Sequence, residues 1–98
     1  MKVRNMKSAR SNREVANQFV IEDDNRVMFQ SYHSPIVEIN RALHIITVYP
    51  HWDYSVTTGK YRNQFMDEEG FYEMANKAGF VQCMKDGKCG CFEVVIMK

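Results

Sequence analysis

The residue types best suited to chemistry lie near the end of this sequence, where Cys83, Cys89 and Cys91 follow the pattern C-x5-C-x-C. Thiolates bind soft metals, and a histidine would complete a tetrahedral zinc set, but the usual C-x2-C or C-x4-C knuckle is missing. Geometry weighs against convergence as well. With Asp86-Gly87 as a two-residue hairpin turn, Cys83 lies opposite Gly90, and Cys89 and Cys91 point to the other face because strand side chains alternate. The sequence thus predicts free thiols, no metal ligand set and no cofactor. An odd number of cysteines without an export signal also argues for reduced thiols.

His44, His51 and Asp53 offer acid-base or metal chemistry, and His51 and Asp53 share one face if the preceding strand runs through them. Such a pair needs a nucleophile or a further carboxylate at a motif spacing, and the sequence supplies neither. A surface histidine at a strand end is the plainer reading. Gly59-Lys60 has the ending of a phosphate-binding loop, yet the upstream glycine is absent and Tyr61 stands where Ser or Thr would hold magnesium. The protein is not expected to be an enzyme.

The densest aromatic and basic stretch is Trp52-Asp53-Tyr54-Ser55-Val56-Thr57-Thr58-Gly59-Lys60-Tyr61-Arg62, which holds the single tryptophan and two of the five tyrosines. Trp52, Tyr54, Lys60 and Arg62 are the candidate binding residues, able to engage a macromolecule or to stack on unpaired bases. The competing reading puts the aromatics in the core and lets Lys60 and Arg62 extend to water from the flanks. Two positions along a helix are about 200° apart, so these two cations leave in nearly opposite directions and do not clamp one phosphate. A second candidate surface is basic. Lys2, Arg4, Lys7, Arg10 and Arg13 all precede the first acid, Glu14, so the first thirteen residues carry +5 in a chain whose net charge is +1. These five suit a phosphate backbone.

The elements that must position these residues follow from local patterning. Residues 1–13 read as a basic arm or an edge strand. Residues 15–22 and 27–32 read as a hairpin about Asp24-Asn25, with Val20 facing Phe29 and Ile21 facing Met28. Pro35 marks a strand start, residues 36–39 form a short strand, and Asn40-Arg41 offers a turn. The nearly continuous apolar run at residues 43–49 predicts a central strand covered on both faces and ended by Pro50, with Trp52 and Tyr54 alternating along its end. Ser55 or Thr57 caps a first helix that stacks Tyr61 and Phe65 on one face. Asp67 caps a second, with Phe71, Met74, Ala75 and Ala78 as its apolar stripe and Gly79 as its stop. Residues 80–84 and 91–97 pair about Asp86-Gly87. The expected fold class is α+β: an antiparallel or mixed sheet of about five to six strands with one or two helices packed on one face.

With 98 residues, 45% of them hydrophobic and 26% charged, the chain is expected to form a single folded domain spanning residues 1–98. The near-neutral net charge provides no overall drive toward nucleic acid or an anionic membrane. No apolar run is long enough to span a bilayer and no secretory signal is present, so a cytoplasmic protein with no membrane partner is expected.

Val15-Ala16-Asn17-Gln18-Phe19, Phe29-Gln30-Ser31-Tyr32-His33-Ser34 and the block from Trp52 through Asn63-Gln64-Phe65 resemble segments of a family of small uncharacterised proteins encoded by bacteriophages and prophages. The resemblance covers residues 1–66, and the third block is its most specific part. It implies a phage accessory protein working in the bacterial host cytoplasm, and it transfers no activity and no functional residue. The expected function is therefore non-enzymatic binding of a host or phage macromolecule, a protein in the first instance. Inhibition of a host defence system is one specific form. The alternative is a nucleic-acid-binding protein that uses the basic N-terminal arm and the aromatic and basic segment from Tyr54 to Arg62.

Overall fold

The computed structural model describes residues 1–98. Five strands precede any helix: β1 (Lys2–Lys7), β2 (Glu14–Glu22), β3 (Arg26–Ser31), β4 (Ser34–Asn40) and β5 (Ile45–Val48). Helix α1 (Val56–Glu68), a 3-10 turn (Tyr72–Met74), helix α2 (Lys77–Asp86) and strands β6 (Lys88–Cys89) and β7 (Phe92–Ile96) follow. The strands form one seven-stranded sheet in the order β1-β2-β3-β4-β5-β7-β6. Neighbours are antiparallel except β5 and β7, which run parallel, so the sheet is mixed.

Alternation along the strands decides which face is covered. Val20, Phe29, Val37 and Val48 form one buried cross-strand row, and Val27, Ile39, Ile46 and Val94 form the next. Phe65 of α1 stacks on Phe29 with ring centroids 5.8 Å apart, and Tyr61, Met66, Phe71, Met74 and Phe80 complete the same core. On the opposite face Ile21, Met28, Glu38, Thr47 and Val95 lie in one cross-strand row and remain half-buried. The architecture is two layers, with helices on one side of the sheet.

The hairpin register Val20–Phe29 and Ile21–Met28 is the expected one. Other elements depart from the local reading. The sheet has seven strands rather than five or six because the N-terminal segment and a two-residue β6 both join it at its edges. The basic segment is therefore an edge strand, anchored by Met6, which is fully buried in the core. β5 is shorter than the apolar run: Leu43 is exposed in a turn, and burial alternates along Ile45–Val48, so this strand is covered on one face only.

The largest departure lies after residue 66. Asp67 does not cap a helix, because α1 continues to Glu68 and stops where Gly70 takes φ 90°. The Phe71 N–H then bonds the Met66 carbonyl and the Gly70 N–H bonds the Asp67 carbonyl, a closure that a residue with a Cβ disfavours. Phe71 and Met74 are buried as expected, but from an irregular linker and 3-10 turn rather than a helical stripe. Asn76 is the true cap of α2, accepting from the Gly79 N–H at 2.8 Å, so Gly79 sits inside the first turn and does not end a helix. Residues 80–84 have strand-like composition yet are helical, since the Asn76 cap and the left-handed Gly87 bracket them and the core accepts Phe80 and Cys83 from one helix face. Asp86-Gly87 is thus a helix end, and the hairpin turn moves to Gly90-Cys91 between paired Cys89 and Phe92.

Candidate functional site

Everything near the N-terminus of α1 depends on how the chain leaves β5. Trp52 N–H bonds the Tyr49 carbonyl and Tyr54 N–H bonds the His51 carbonyl, both at 3.1 Å, so residues 49–54 form two successive turns rather than a strand end. Trp52 and Tyr54 consequently do not alternate along a strand. Trp52 turns inward and Tyr54 is 67% exposed. Ser55 then caps α1, its Oγ accepting from the Thr58 N–H at 3.1 Å, while Thr58 also shares a buried 2.9 Å hydroxyl contact with Ser31 of β3. Those bonds fix the first turn of α1 over the tip of the β3–β4 hairpin.

The inward side of this turn holds Arg62, which is only 1% exposed. This corrects the expectation that its head reaches water. Its Nη1 donates to the Trp52 carbonyl at 2.8 Å and its Nη2 to the Asn63 Oδ1 at 3.1 Å. The guanidinium carbon lies 4.8 Å from the Phe80 ring centroid and 5.4 Å from that of Trp52, while those two rings stack on each other. Burial pulls the Arg62 pKa down, and Asp53, 3.7 Å from Nη1, pushes it back. Asp53 also meets Lys77 at 2.9 Å, and that hydrogen bond, aided by the charges of Lys77 and Arg62, holds its carboxyl below the usual carboxylate range although desolvation pushes it up. A cleft of about 520 Å³ opens here among Asp53, Val56, Gly59, Lys60, Arg62 and Lys77. Its charges are already paired except for Lys60, whose ammonium lies over the Tyr61 ring at 5.3 Å.

The outward side is different. A cleft of about 620 Å³ is lined by Tyr32 and His33 from the β3–β4 tip, His51 and Tyr54 from the turns, and Ser55 and Thr57 from the helix start. His51 and Tyr54 meet edge to face at 5.6 Å. Tyr32 holds φ 57°, a left-handed conformation that costs an L-residue about 1–2 kcal/mol. Its peptide is held from both sides, by its own N–H on the Asn17 carbonyl at 2.6 Å and by Gln30 Nε2 on its carbonyl at 2.9 Å. Tyr32 is the first residue of the two-residue link between β3 and β4, where a tight hairpin turn calls for a positive φ. Such a cleft can stack on planar groups and can both donate and accept hydrogen bonds, and its lining contains no Asp, Glu, Lys or Arg. Below it Gln18, paired in register with Ser31, is fully buried with neither amide atom hydrogen-bonded.

Of the candidate binding residues, Tyr54 and Lys60 are on the surface and on different sides of the turn, while Trp52 is half-buried and Arg62 is interior. His51 faces the outer cleft, Asp53 the inner one, and His44 lies tilted against Phe92 with ring centroids 4.9 Å apart, so these three are not brought together. The basic residues spread along an edge: Lys2, Arg4 and Lys7 lie on β1, Arg10 and Arg13 on the loop after it, and Arg4 pairs with Glu22 at 3.4 Å. Tyr32, His33 and Thr57 were not among the candidate binding residues. The available signal was a short link between two strands occupied by an aromatic and a histidine instead of the usual Gly or Asn. Cys83 and Cys89 face each other from α2 and β6, contrary to the hairpin geometry expected for them, and Cys91 is exposed. Burial pushes both facing thiols up, Cys89 to about 12 with a further contribution from the Cys83 sulfur.

Residues 1–82 match a family of unknown function (DUF8033). The chain belongs to that family. The match runs past residue 66, where the resemblance noted in the sequence ends, and takes in both clefts at the start of α1. Cys83, Cys89 and Cys91 follow its last residue. No curated protein and no solved structure matches the chain. No helix is long and apolar enough to cross a membrane.

Proposed function

We propose that this DUF8033 member is a non-enzymatic binding module of phage type that captures a host or phage protein in the bacterial cytoplasm, using the outer cleft at the start of α1. Inhibition of a host defence system is the specific form that the phage resemblance suggests. The observation that carries the reading is Tyr32, held in a strained left-handed conformation on the rim of an open cleft that it shares with exposed Tyr54 and two histidines. Strained backbone conformations recur at ligand-contacting sites, and aromatic residues are enriched at protein interfaces. Aromatic side chains flanked by hydroxyls are also the composition of many protein-binding surfaces. The cleft hydroxyls Ser31, Ser55 and Thr58 bond one another, which suits a rigid rim.

Capture from infected-cell lysate by the immobilised protein, with and without nuclease and across a salt series, tests this reading. The expected result is a protein retained after nuclease treatment and lost in the Tyr32→Ala/Tyr54→Ala double variant, which keeps its melting temperature within a few degrees. Capture that disappears with nuclease and falls steeply with salt would instead favour nucleic-acid binding through Lys2, Arg4, Lys7, Arg10 and Arg13, because phosphate neutralisation releases counterions. Undiminished capture by the double variant would remove the cleft from the account.

A further inference from the structure

Cys83, Cys89 and Glu73 come from three separate elements, and their ligand atoms all lie within 4.8 Å of one another. The convergence has a traceable cause. Glu73 belongs to the 3-10 turn, and this turn presses on α2 at Gly79, where a Cβ would stand 1.8 Å from the Glu73 carbonyl oxygen. Only glycine permits that approach. Cys83 lies one helical turn beyond Gly79 on the same face of α2, which brings its sulfur under the Glu73 side chain. Gly87 then ends the helix, its N–H on the Cys83 carbonyl at 2.9 Å, and redirects the chain so that Cys89 in β6 faces back toward Cys83. Both thiols are buried and the Glu73 carboxylate is at the surface.

We propose that Cys83, Cys89 and Glu73 bind a divalent cation of the zinc class, with water completing the coordination on the exposed side of Glu73. Two sulfurs and one carboxylate suit a borderline-soft ion that tolerates a tetrahedral set, whereas magnesium and calcium take oxygen ligands. A pair of thiols destined only for a disulfide has no use for the carboxylate. As each sulfur-metal bond forms, the thiol gives its proton to solvent, so binding acidifies the medium. The bound ion ties the 3-10 turn and α2 to the C-terminal hairpin. Glu73 and Gly79 lie within the residues matched to the family, and the two thiols follow them.

Titration of the reduced, metal-free full-length protein with zinc and with cobalt(II) tests the proposal. The expected result is one equivalent of cobalt with sulfur-to-cobalt charge-transfer absorption, proton release, and a rise in melting temperature with zinc. Cys83→Ser and Cys89→Ser abolish that absorption, Glu73→Gln weakens binding by at least about tenfold, and Cys91→Ser leaves it unchanged. The cobalt spectrum of the unaltered protein decides the matter even if a cysteine variant fails to fold. One equivalent bound without the sulfur band, as capture by His33 and His51 would give, overturns the proposal. So do the absence of binding, full affinity in Glu73→Gln, and loss of binding in Cys91→Ser.

Discussion

The two sides of the first turn of α1 are built from the same kinds of residue and use them in opposite ways. On the inner side Trp52, Phe80 and Arg62 pack together, with the guanidinium against both rings and its charge answered by Asp53. On the outer side Tyr32, Tyr54, His33 and His51 stand around an open cleft. An aromatic residue beside a basic one is therefore not in itself a sign of a binding surface. What separates the two sides is whether a third element arrives to close the cluster. α2 delivers Phe80 and Lys77 to the inner side, and no element covers the outer one.

The contrast can be broken experimentally, and the largest effect is expected at Phe80. Phe80→Ala removes a fully buried ring from beneath Trp52 and should lower stability by about 3–5 kcal/mol in denaturant unfolding. A loss below about 1 kcal/mol would show that the inner cluster does not hold α2 in place. Arg62→Ala comes next, at about 2–4 kcal/mol, because it opens a cavity beside the Trp52 and Phe80 rings and leaves the Trp52 carbonyl without its donor. Arg62→Lys should recover only part of this, since an ammonium does not reproduce the fork that reaches both Trp52 and Asn63.

The outer side should respond with the opposite sign. Tyr32→Gly relieves the left-handed strain and is expected to raise stability by about 1 kcal/mol while reducing capture of the partner. Destabilisation instead would mean that the ring packs rather than presents. Tyr54→Ala, and Lys60→Ala at the mouth of the inner cleft, should each shift stability by no more than about 0.5 kcal/mol, because both side chains are exposed.

Acid should affect the inner side alone, and by less. The folded pKa of Asp53 lies below its ordinary value of 3.8, so its contribution is present above that value and is lost as pH falls through the folded pKa. Asp53→Asn should flatten the stability profile in that acid range and leave it unchanged near neutrality apart from a uniform offset. A profile identical to that of the unaltered protein would remove the Lys77 and Arg62 pairing from the account.

Local rules were enough to read the Asp24-Asn25 hairpin with its register, to narrow the α1 cap to Ser55 or Thr57, of which Ser55 is the cap, and to read the Tyr61–Phe65 face and the α+β class, because patterning and capping act over short stretches of chain. The same rules misplaced residues 67–98. There Asp67, Gly79 and Asp86-Gly87 each have a plausible local role, and the choice among them was made by which helix face could bury Phe80 and Cys83. The arm was legible as basic, while its place in the sheet was settled by a single buried methionine, Met6. Local patterning specifies the alternation that makes one face of the sheet apolar, and the caps and turns that lie within a few residues of one another. Long-range packing puts Arg62 in the interior, brings Tyr32 and Tyr54 to one cleft, and makes Cys83, Cys89 and Glu73 meet. The physical reason is range: periodicity and capping act along the chain, whereas burial and the meeting of ligands depend on elements far apart in sequence that the core alone brings together.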